Sequence, residues 1–459
     1  MSSTSFGPTV YLAFFGSAAL VLKAVNEAVT QPYMDEPFHV PQAQAYCAQN
    51  YSYWDPKITT PPGLYVLSLV LKRIFLFKCN LSMLRLTPML ALVALPIALT
   101  RLLCYHKRER PPPSLTVPIP EAVVLAAFPI AWFFGFLYYT EVPSLVFVVL
   151  TVVAATQGKH WTAALLGVAS CTFRQTNIIW VLYAYATSQV MKQRFRRADE
   201  AGPRLHDAPA LTASPTDLLR SIASVPRVLP QILPPFVPYS IVLAAFAAFV
   251  VWNGGIVLGD KSNHVPAFHI PQLYYFVGFT TLMGWPALLA NKDGVLPLAR
   301  GVWHKMFGSK RNIISTCVAS FLMALSIHKF TIHHPFLLAD NRHYTFYVWK
   351  RVFMLHPLVP YLLIPGYIAC AWAWYIRIGR DQTLLQNLLL PVFVAPTLLP
   401  TPLLEPRYFL VPYILLRAQV IDVPSWGVVV EGLWYAAINA ATMWVFLYKE
   451  REGVGRFMW

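Results

Sequence analysis

The chain predicts an all-α polytopic membrane protein, and three observations carry that prediction. Apolar residues make up 57% of it and charged residues only 12%, whereas a soluble domain carries about 25% charged residues. So little polar surface does not cover a water-soluble globule. The apolar residues also come in runs close to the ~20 residues that cross a bilayer, and the runs are continuous, unlike the alternating strands of a membrane β-barrel. Finally, the 36 Lys and Arg outnumber the 20 Asp and Glu and collect in a few short stretches between the runs.

In chain order the apolar runs lie near 8–25, 62–77, 84–103, 121–139, 142–157, 161–172, 176–191, 236–257, 272–290, 312–330, 352–375, 384–400, 403–420 and 427–448. These windows predict one membrane domain over 1–459 with 12–14 transmembrane helices. The first run lacks a basic leader and a small-x-small cleavage site, so it reads as a retained signal-anchor. The 39 prolines are many for a helical protein. Such breaks are tolerated where helices bury one another or line a cavity.

Orientation follows from the basic stretches at 106–110, 192–197, 305–311, 377–380 and 449–456, expected in the cytoplasm by the positive-inside rule. The segment 192–230 is rich in Pro, Ala, Asp and Arg and reads as a flexible cytoplasmic linker. Loops 26–61, 138–143, 173–177, 258–271, 331–350 and 401–408 then face the opposite compartment. One run strains this scheme. If 62–77 and 84–103 both cross, the basic stretch 106–110 lands on the wrong side; if 62–77 only dips in, the loops up to residue 380 fit.

The same charge pattern explains the net charge of +16 without nucleic acid, for which no basic helix or aromatic-basic module is present. The six cysteines are scattered with no CxxC spacing, so neither a zinc site nor a disulfide framework is signalled. There is no P-loop, GxGxxG or GxSxG motif, and no HExxH accompanies the adjacent His333 and His334. ATP-driven transport and serine hydrolysis lose support, and no metal site is expected.

The residues that stand out lie in loop 26–61, where Asp35 and Glu36 sit between two apolar segments. Ionisable groups kept at a membrane boundary are costly and usually functional. A carboxylate beside apolar surface suits a general base. The bland alternative is a helix start, with Glu36 as cap and Pro37 in the first turn. Asp35, His39, Gln42 and Tyr46 share one face at helical spacing, though Pro41 is expected to interrupt a regular helix. Trp54 and Lys57 offer an aromatic surface beside a cation, suited to a sugar or phosphate; the alternative for Lys57 is an interfacial snorkelling lysine.

Further along, Arg174 and Gln175 interrupt two apolar runs, and an arginine there pairs with an acid or binds an anion. Loop 258–271 offers Asp260, Lys261, His264 and His269. Loop 331–351 offers Asp340, Arg342 and His343 among others. Glu405 and Arg407 either serve a substrate or form an internal ion pair.

Together the stretches 32–46 and 54–65, with 173–180, 259–264, 338–349 and 404–409, resemble the eukaryotic endoplasmic-reticulum α-1,2-glucosyltransferase family. Members of that family transfer glucose from dolichyl phosphate glucose to the lipid-linked oligosaccharide. The likeness runs over nearly the whole chain except 192–230. It implies a GT-C fold in the endoplasmic reticulum membrane with a luminal active site. It implies addition of the last glucose of the N-glycan precursor, with dolichyl phosphate glucose and a dolichyl-diphosphate-linked oligosaccharide as lipid-borne partners. In that fold an acid of the first luminal loop is the base, and Asp35 is the matching position, with Glu36 its neighbour. His39, Gln42, Trp54, Lys57, Arg174, Gln175, Asp340, Arg342, His343 and Arg407 are then the substrate-binding candidates. A monophosphate leaving group facing fixed cations requires no metal or other cofactor. A GT-C mannosyltransferase is the nearest alternative, and a transporter with mid-span charges the more distant one.

Overall fold

A computed structural model describes residues 7–114, 117–196, 202–259, 261, 266–452 and 455–459. Asp260 and His264 fall outside them. Of the described residues no stretch forms a strand, and the chain is 71% helical. It is an all-α polytopic membrane protein. Among the described residues six helices are long and apolar enough to cross a bilayer: Gly7–Ala28, Leu81–Lys107, Pro215–Asn253, Lys310–Phe330, Val359–Gly379 and Ser425–Tyr448. Glu141–Thr156 and Leu384–Leu398 are apolar but shorter. Prolines account for part of the difference from the fourteen apolar windows. The run at 121–139, for example, is divided into Pro120–Ala126 and Pro129–Phe134, because a proline lacks the N–H that would continue the ladder.

The helices gather into two units. The first comprises Met1–Ser188, Leu233–Val265 and Tyr435–Arg451. It holds α1 (Gly7–Ala28), α2 (Glu36–Cys47), α3 (Gly63–Phe75), α4 (Leu86–Lys107), α5 (Glu141–Thr156) and α6 (His160–Cys171). Helix α5, EVPSLVFVVLTVVAAT, is apolar all round and is buried all round, from Glu141 to Ala155 with only Phe147 and Leu150 left partly exposed. Helices α4 and α6 pack against it. Helix α1 is buried at Gly7 and along Phe14, Ala18, Leu22 and Val25, and its remaining apolar face is left for lipid.

Helix α3 does not cross. Its 13 residues span about 20 Å at 1.5 Å per residue, against a hydrocarbon core of about 30 Å. Cys47, at the end of α2, and Cys79, just past α3, form a disulfide with their Cα atoms 6.5 Å apart. Both ends of α3 therefore lie on one side, and α3 is a segment that dips in and returns. Helix α4 then carries the chain across, and the basic stretch 106–110 lies opposite loop 29–62. The disulfide corrects the reading of the cysteines: partners 32 residues apart form no local motif.

The second unit comprises Gln189–Ile232, Pro266–Trp434 and Glu452–Trp459. Helices α7 (Pro271–Leu289), α8 (Val295–Phe307), α9 (Lys310–Phe330) and α10 (Ile364–Gly379) meet in two apolar clusters, around Leu288, Leu298 and Trp374 and around Met306, Ile327 and Ile368. Arg417 and Glu431 form an ion pair with both side chains fully buried, at 2.8 Å. Within 192–230, expected as a flexible linker, residues 215–230 are helical as the start of Pro215–Asn253. Asp207 accepts the Leu385 amide at 2.9 Å, which ties down the approach to that helix.

The tail 449–456 was expected in the cytoplasm and loop 331–350 opposite to it. The contacts join them. The Met458 amide donates to the Arg342 carbonyl at 2.9 Å, and Phe457, Met458 and Trp459 are buried. Residues 455–459 and 340–344 are on one side. Counting basic residues missed the apolar end that follows them.

Candidate functional site

The first polar loop is built around a tight turn. Met34 lies in the left-handed region at φ 57°, where a residue with a Cβ pays about 1–2 kcal/mol. Asp35 follows as the N-cap of α2 and makes no side-chain capping bond. Its amide donates to the Tyr139 hydroxyl at 2.8 Å, and its side chain is partly exposed. The helix begins at Glu36, one residue earlier than the capping expectation, with Pro37 in its first turn. It runs through Pro41 without a break. Pro41 is exposed, and the one hydrogen bond it forfeits does not end the helix.

Glu36 is the opposite of its neighbour. Its carboxylate is fully buried and faces the fully buried Arg85. Arg85 Nε donates to Oε1 at 2.8 Å and Nη2 to Oε2 at 2.6 Å. The Tyr138 amide adds a bond to Oε1 at 2.7 Å and the Tyr33 amide one to Oε2 at 3.0 Å. Arg85 Nη1 finishes on the Val29 carbonyl at 2.8 Å. Each carboxylate oxygen thus takes two donors, and a carboxylate so held is a structural anchor. It binds the start of α2 to the head of α4 and to the 138–139 loop, which fixes Asp35 in passing.

The other candidates in this unit divide similarly. His39 Nδ1 meets the Tyr65 hydroxyl at 2.6 Å. Burial, then the neighbouring Tyr138, Tyr46 and Asp55, raises the pKa of Tyr65. Gln42 is fully buried. It donates to the Tyr53 carbonyl at 2.7 Å and accepts the Asp55 amide at 2.9 Å, so it pins loop 53–55. Trp54 sits edge-on to Tyr65, centroids 6.2 Å apart. Lys57 is exposed, with Nζ 4.9 Å from the Phe38 ring centroid.

Arg174 pairs with the buried Glu141 at 2.7 Å, and Gln175 donates to the Thr59 carbonyl at 2.7 Å. The Gly63 amide donates to Thr172 at 2.8 Å, with no room for a Cβ. Gly259, at φ 62°, lies against the carbonyls of Pro56 and Ile58. Loop 53–63 is therefore stitched down from α2, from 172–175 and from 258–259.

In the second unit Arg342 forks onto Asp340, Nε to Oδ1 at 2.8 Å and Nη2 to Oδ2 at 2.6 Å. Burial would raise the Asp340 carboxyl, but the Arg342 bonds and the nearby His343 outweigh it and hold the pKa below its ordinary value. His343 Nε2 lies 3.5 Å from Asp340 and Nδ1 3.0 Å from the Trp459 carbonyl. Arg407 is bonded to Glu405, the internal ion pair of the sequence reading. His269 is fully buried, and burial pushes its pKa down to about 4, so it stays neutral and supplies no cation.

Arg85, Tyr138 and Tyr139 escaped the sequence reading. A signal for Arg85 was present: an arginine at the head of an apolar run is expensive unless paired. Its partner Glu36 lies 49 residues away.

Fold and loops together define a class: a polytopic membrane protein that gathers its ionisable side chains in loops at the ends of apolar helices, the layout of an enzyme acting on a lipid-carried substrate. Residues 29–418 match the DIE2/ALG10 family. A human protein named Dol-P-Glc:Glc(2)Man(9)GlcNAc(2)-PP-Dol alpha-1,2-glucosyltransferase is 36% identical, with 96% of each chain covered. The mouse protein of that name is 37% identical over the same shares. That of Arabidopsis thaliana is 31% identical over 95% of this chain and 96% of its own. No solved structure matches. The chain belongs to the DIE2/ALG10 family.

Proposed function

We propose that Asp35 is the general base of an inverting glucosyl transfer. The chain is a glucosyltransferase that moves glucose from dolichyl phosphate glucose to Glc2Man9GlcNAc2-PP-dolichol in α-1,2 linkage. Full-length identity of 36–37% to mammalian proteins of that activity supports this reading. The donor's β-linked glucose becomes α-linked, so one in-line displacement suffices. Asp35 takes the proton of the attacking 2-hydroxyl on the terminal glucose. The new bond forms at the anomeric carbon as the bond to the phosphate oxygen breaks, and dolichyl phosphate leaves with its charge.

The observation that supports Asp35 over Glu36 is the occupancy of Glu36, whose four donors leave no room for a sugar hydroxyl. Asp35 is partly exposed, and its side chain is not spent on the helix cap. Lys57, exposed beside Phe38, is the cation of this unit suited to the departing phosphate. Arg174 and Gln175 hold the loop, and Gln42 does the same from beneath. Metal independence rests on the leaving group: a monophosphate met by fixed cations needs no divalent ion.

An endoplasmic-reticulum site with this loop in the lumen is supported by the Cys47–Cys79 disulfide, since disulfides persist in oxidising compartments. The test is transfer by purified protein from synthetic dolichyl phosphate glucose to a diglucosylated lipid-linked acceptor, with EDTA present. One glucose added in α-1,2 linkage is expected. No transfer from this donor with transfer from dolichyl phosphate mannose in a parallel reaction, or a rate restored only by added metal, would overturn the corresponding part of the reading.

A further inference from the structure

The segment 455–459 is one observation that the glucosyl transfer described above leaves unused. It is short, it follows a run of charges, and yet its last three residues are buried, Phe457 at 7%, Met458 at 3% and Trp459 at 9% exposure. It lies on the loop that bears Asp340, Arg342 and His343. The Tyr344 ring is clasped between Phe457 and Trp459, with centroids at 4.3 and 4.7 Å. Main chain meets main chain where the Met458 amide donates to the Arg342 carbonyl. Gly455 lies beside the Arg342 guanidinium, since a Cβ built there would stand 3.6 Å from Nη1.

The contact to His343 has chemical content. A carbonyl oxygen only accepts, so the bond at 3.0 Å to Trp459 requires the hydrogen on His343 Nδ1. That turns Nε2 to Asp340, 3.5 Å away. The tail therefore holds a hydrogen on His343 Nδ1 and fixes the orientation of the ring as well as the path of the backbone at Arg342. Arg342 is a fixed cation suited to a phosphate, and His343 donates to one from Nε2 when both of its ring nitrogens carry hydrogen.

We propose that residues 455–459 form a positioning element for this loop, holding Arg342 and His343 to receive the phosphate of a lipid-linked sugar. The proposal rests on the reading that this loop binds such a phosphate. The bearer is the donor monophosphate or the acceptor diphosphate, which share that chemistry. Among the described residues the ring contact of Phe457 is with Tyr344, so it acts on binding at second hand.

The experiment measures KM for donor and acceptor separately in wild type, Phe457→Ala, His343→Ala and a form ending at residue 454. The last is assayed with and without the peptide Gly-Arg-Phe-Met-Trp. Phe457→Ala and the truncation should raise KM for one of the two substrates about ten- to a hundredfold with kcat nearly unchanged. His343→Ala should raise KM for the same substrate, and adding Phe457→Ala to it should cost little more. The peptide should restore the truncated form, a rescue that a general folding defect would not allow. The substrate whose KM moves identifies the bearer of the phosphate. If His343→Ala changes neither KM, the underlying reading of the loop falls. If His343→Ala raises KM while Phe457→Ala and the truncation do not, the positioning role of the tail is overturned. If the truncated form loses all activity and the peptide does not restore it, with Phe457→Ala normal, the tail is structural only and the proposal is again overturned.

Discussion

At positions 33–36 the chain is held from below by a charge. Glu36 and Arg85 are both fully buried, they close on one another with two hydrogen bonds, and two backbone amides complete the carboxylate. At positions 340–344 the ion pair is Asp340–Arg342, partly exposed and only two residues apart. What orders that loop from outside is a set of rings, one amide and one carbonyl from a segment more than a hundred positions away. The first arrangement anchors the loop of Asp35 to the helices beneath it and commits Glu36 to that task. The second leaves its charged groups partly exposed and packs the loop against the short segment 455–459. A buried ion pair is expensive to break, whereas a partly exposed pair such as Asp340–Arg342 contributes little to stability.

The sharpest way to break this comparison is at the buried pair. Glu36→Gln leaves Arg85 buried without its counter-charge, which costs about 3–5 kcal/mol. A large fall in melting temperature and in yield of folded protein is expected, read by thermal unfolding in detergent. The same change in Asp340 should leave stability within about 1 kcal/mol, as for other partly exposed pairs. Next, Cys47→Ser should destabilise by about 2–4 kcal/mol through the freed loop, and wild type should lose a similar amount in reductant. Lys57→Met should weaken phosphate stabilisation by about 1.5–3 kcal/mol, seen as a lower kcat with normal unfolding. The smallest effect belongs to Met34→Gly. It relieves about 1 kcal/mol of left-handed strain, so folding stability should hold or rise slightly. The looser turn lets Asp35 wander, and kcat should fall.

The sequence exposed the fold class because composition and long apolar runs are global signals that no local detail reverses. Asp35 and Glu36 also stood out, as charges kept between apolar segments. That Glu36 is bound up in a buried ion pair was not legible, because its partners are Arg85 and the amide of Tyr138, far along the chain. The same limit applies to Gln42 and Gln175. Polar residues in a conspicuous loop read as substrate ligands, yet both spend their amides on loop carbonyls. The Cys47–Cys79 bond had no motif, and the tail was judged by its charges when its aromatic end decides where it sits. In each case the missing information was a contact between positions distant in sequence.

The most direct test is single-turnover glucose transfer by Asp35→Asn, with unfolding measured on the same preparation and Glu36→Asp alongside, which keeps a charge facing Arg85. Asp35→Asn should unfold like wild type and transfer glucose about 10²- to 10⁴-fold more slowly, while Glu36→Asp should be less stable and keep a measurable chemical rate in its folded fraction. Wild-type transfer by Asp35→Asn, with the loss confined to a stably folded Glu36→Asp, would contradict the division of labour between the two carboxylates.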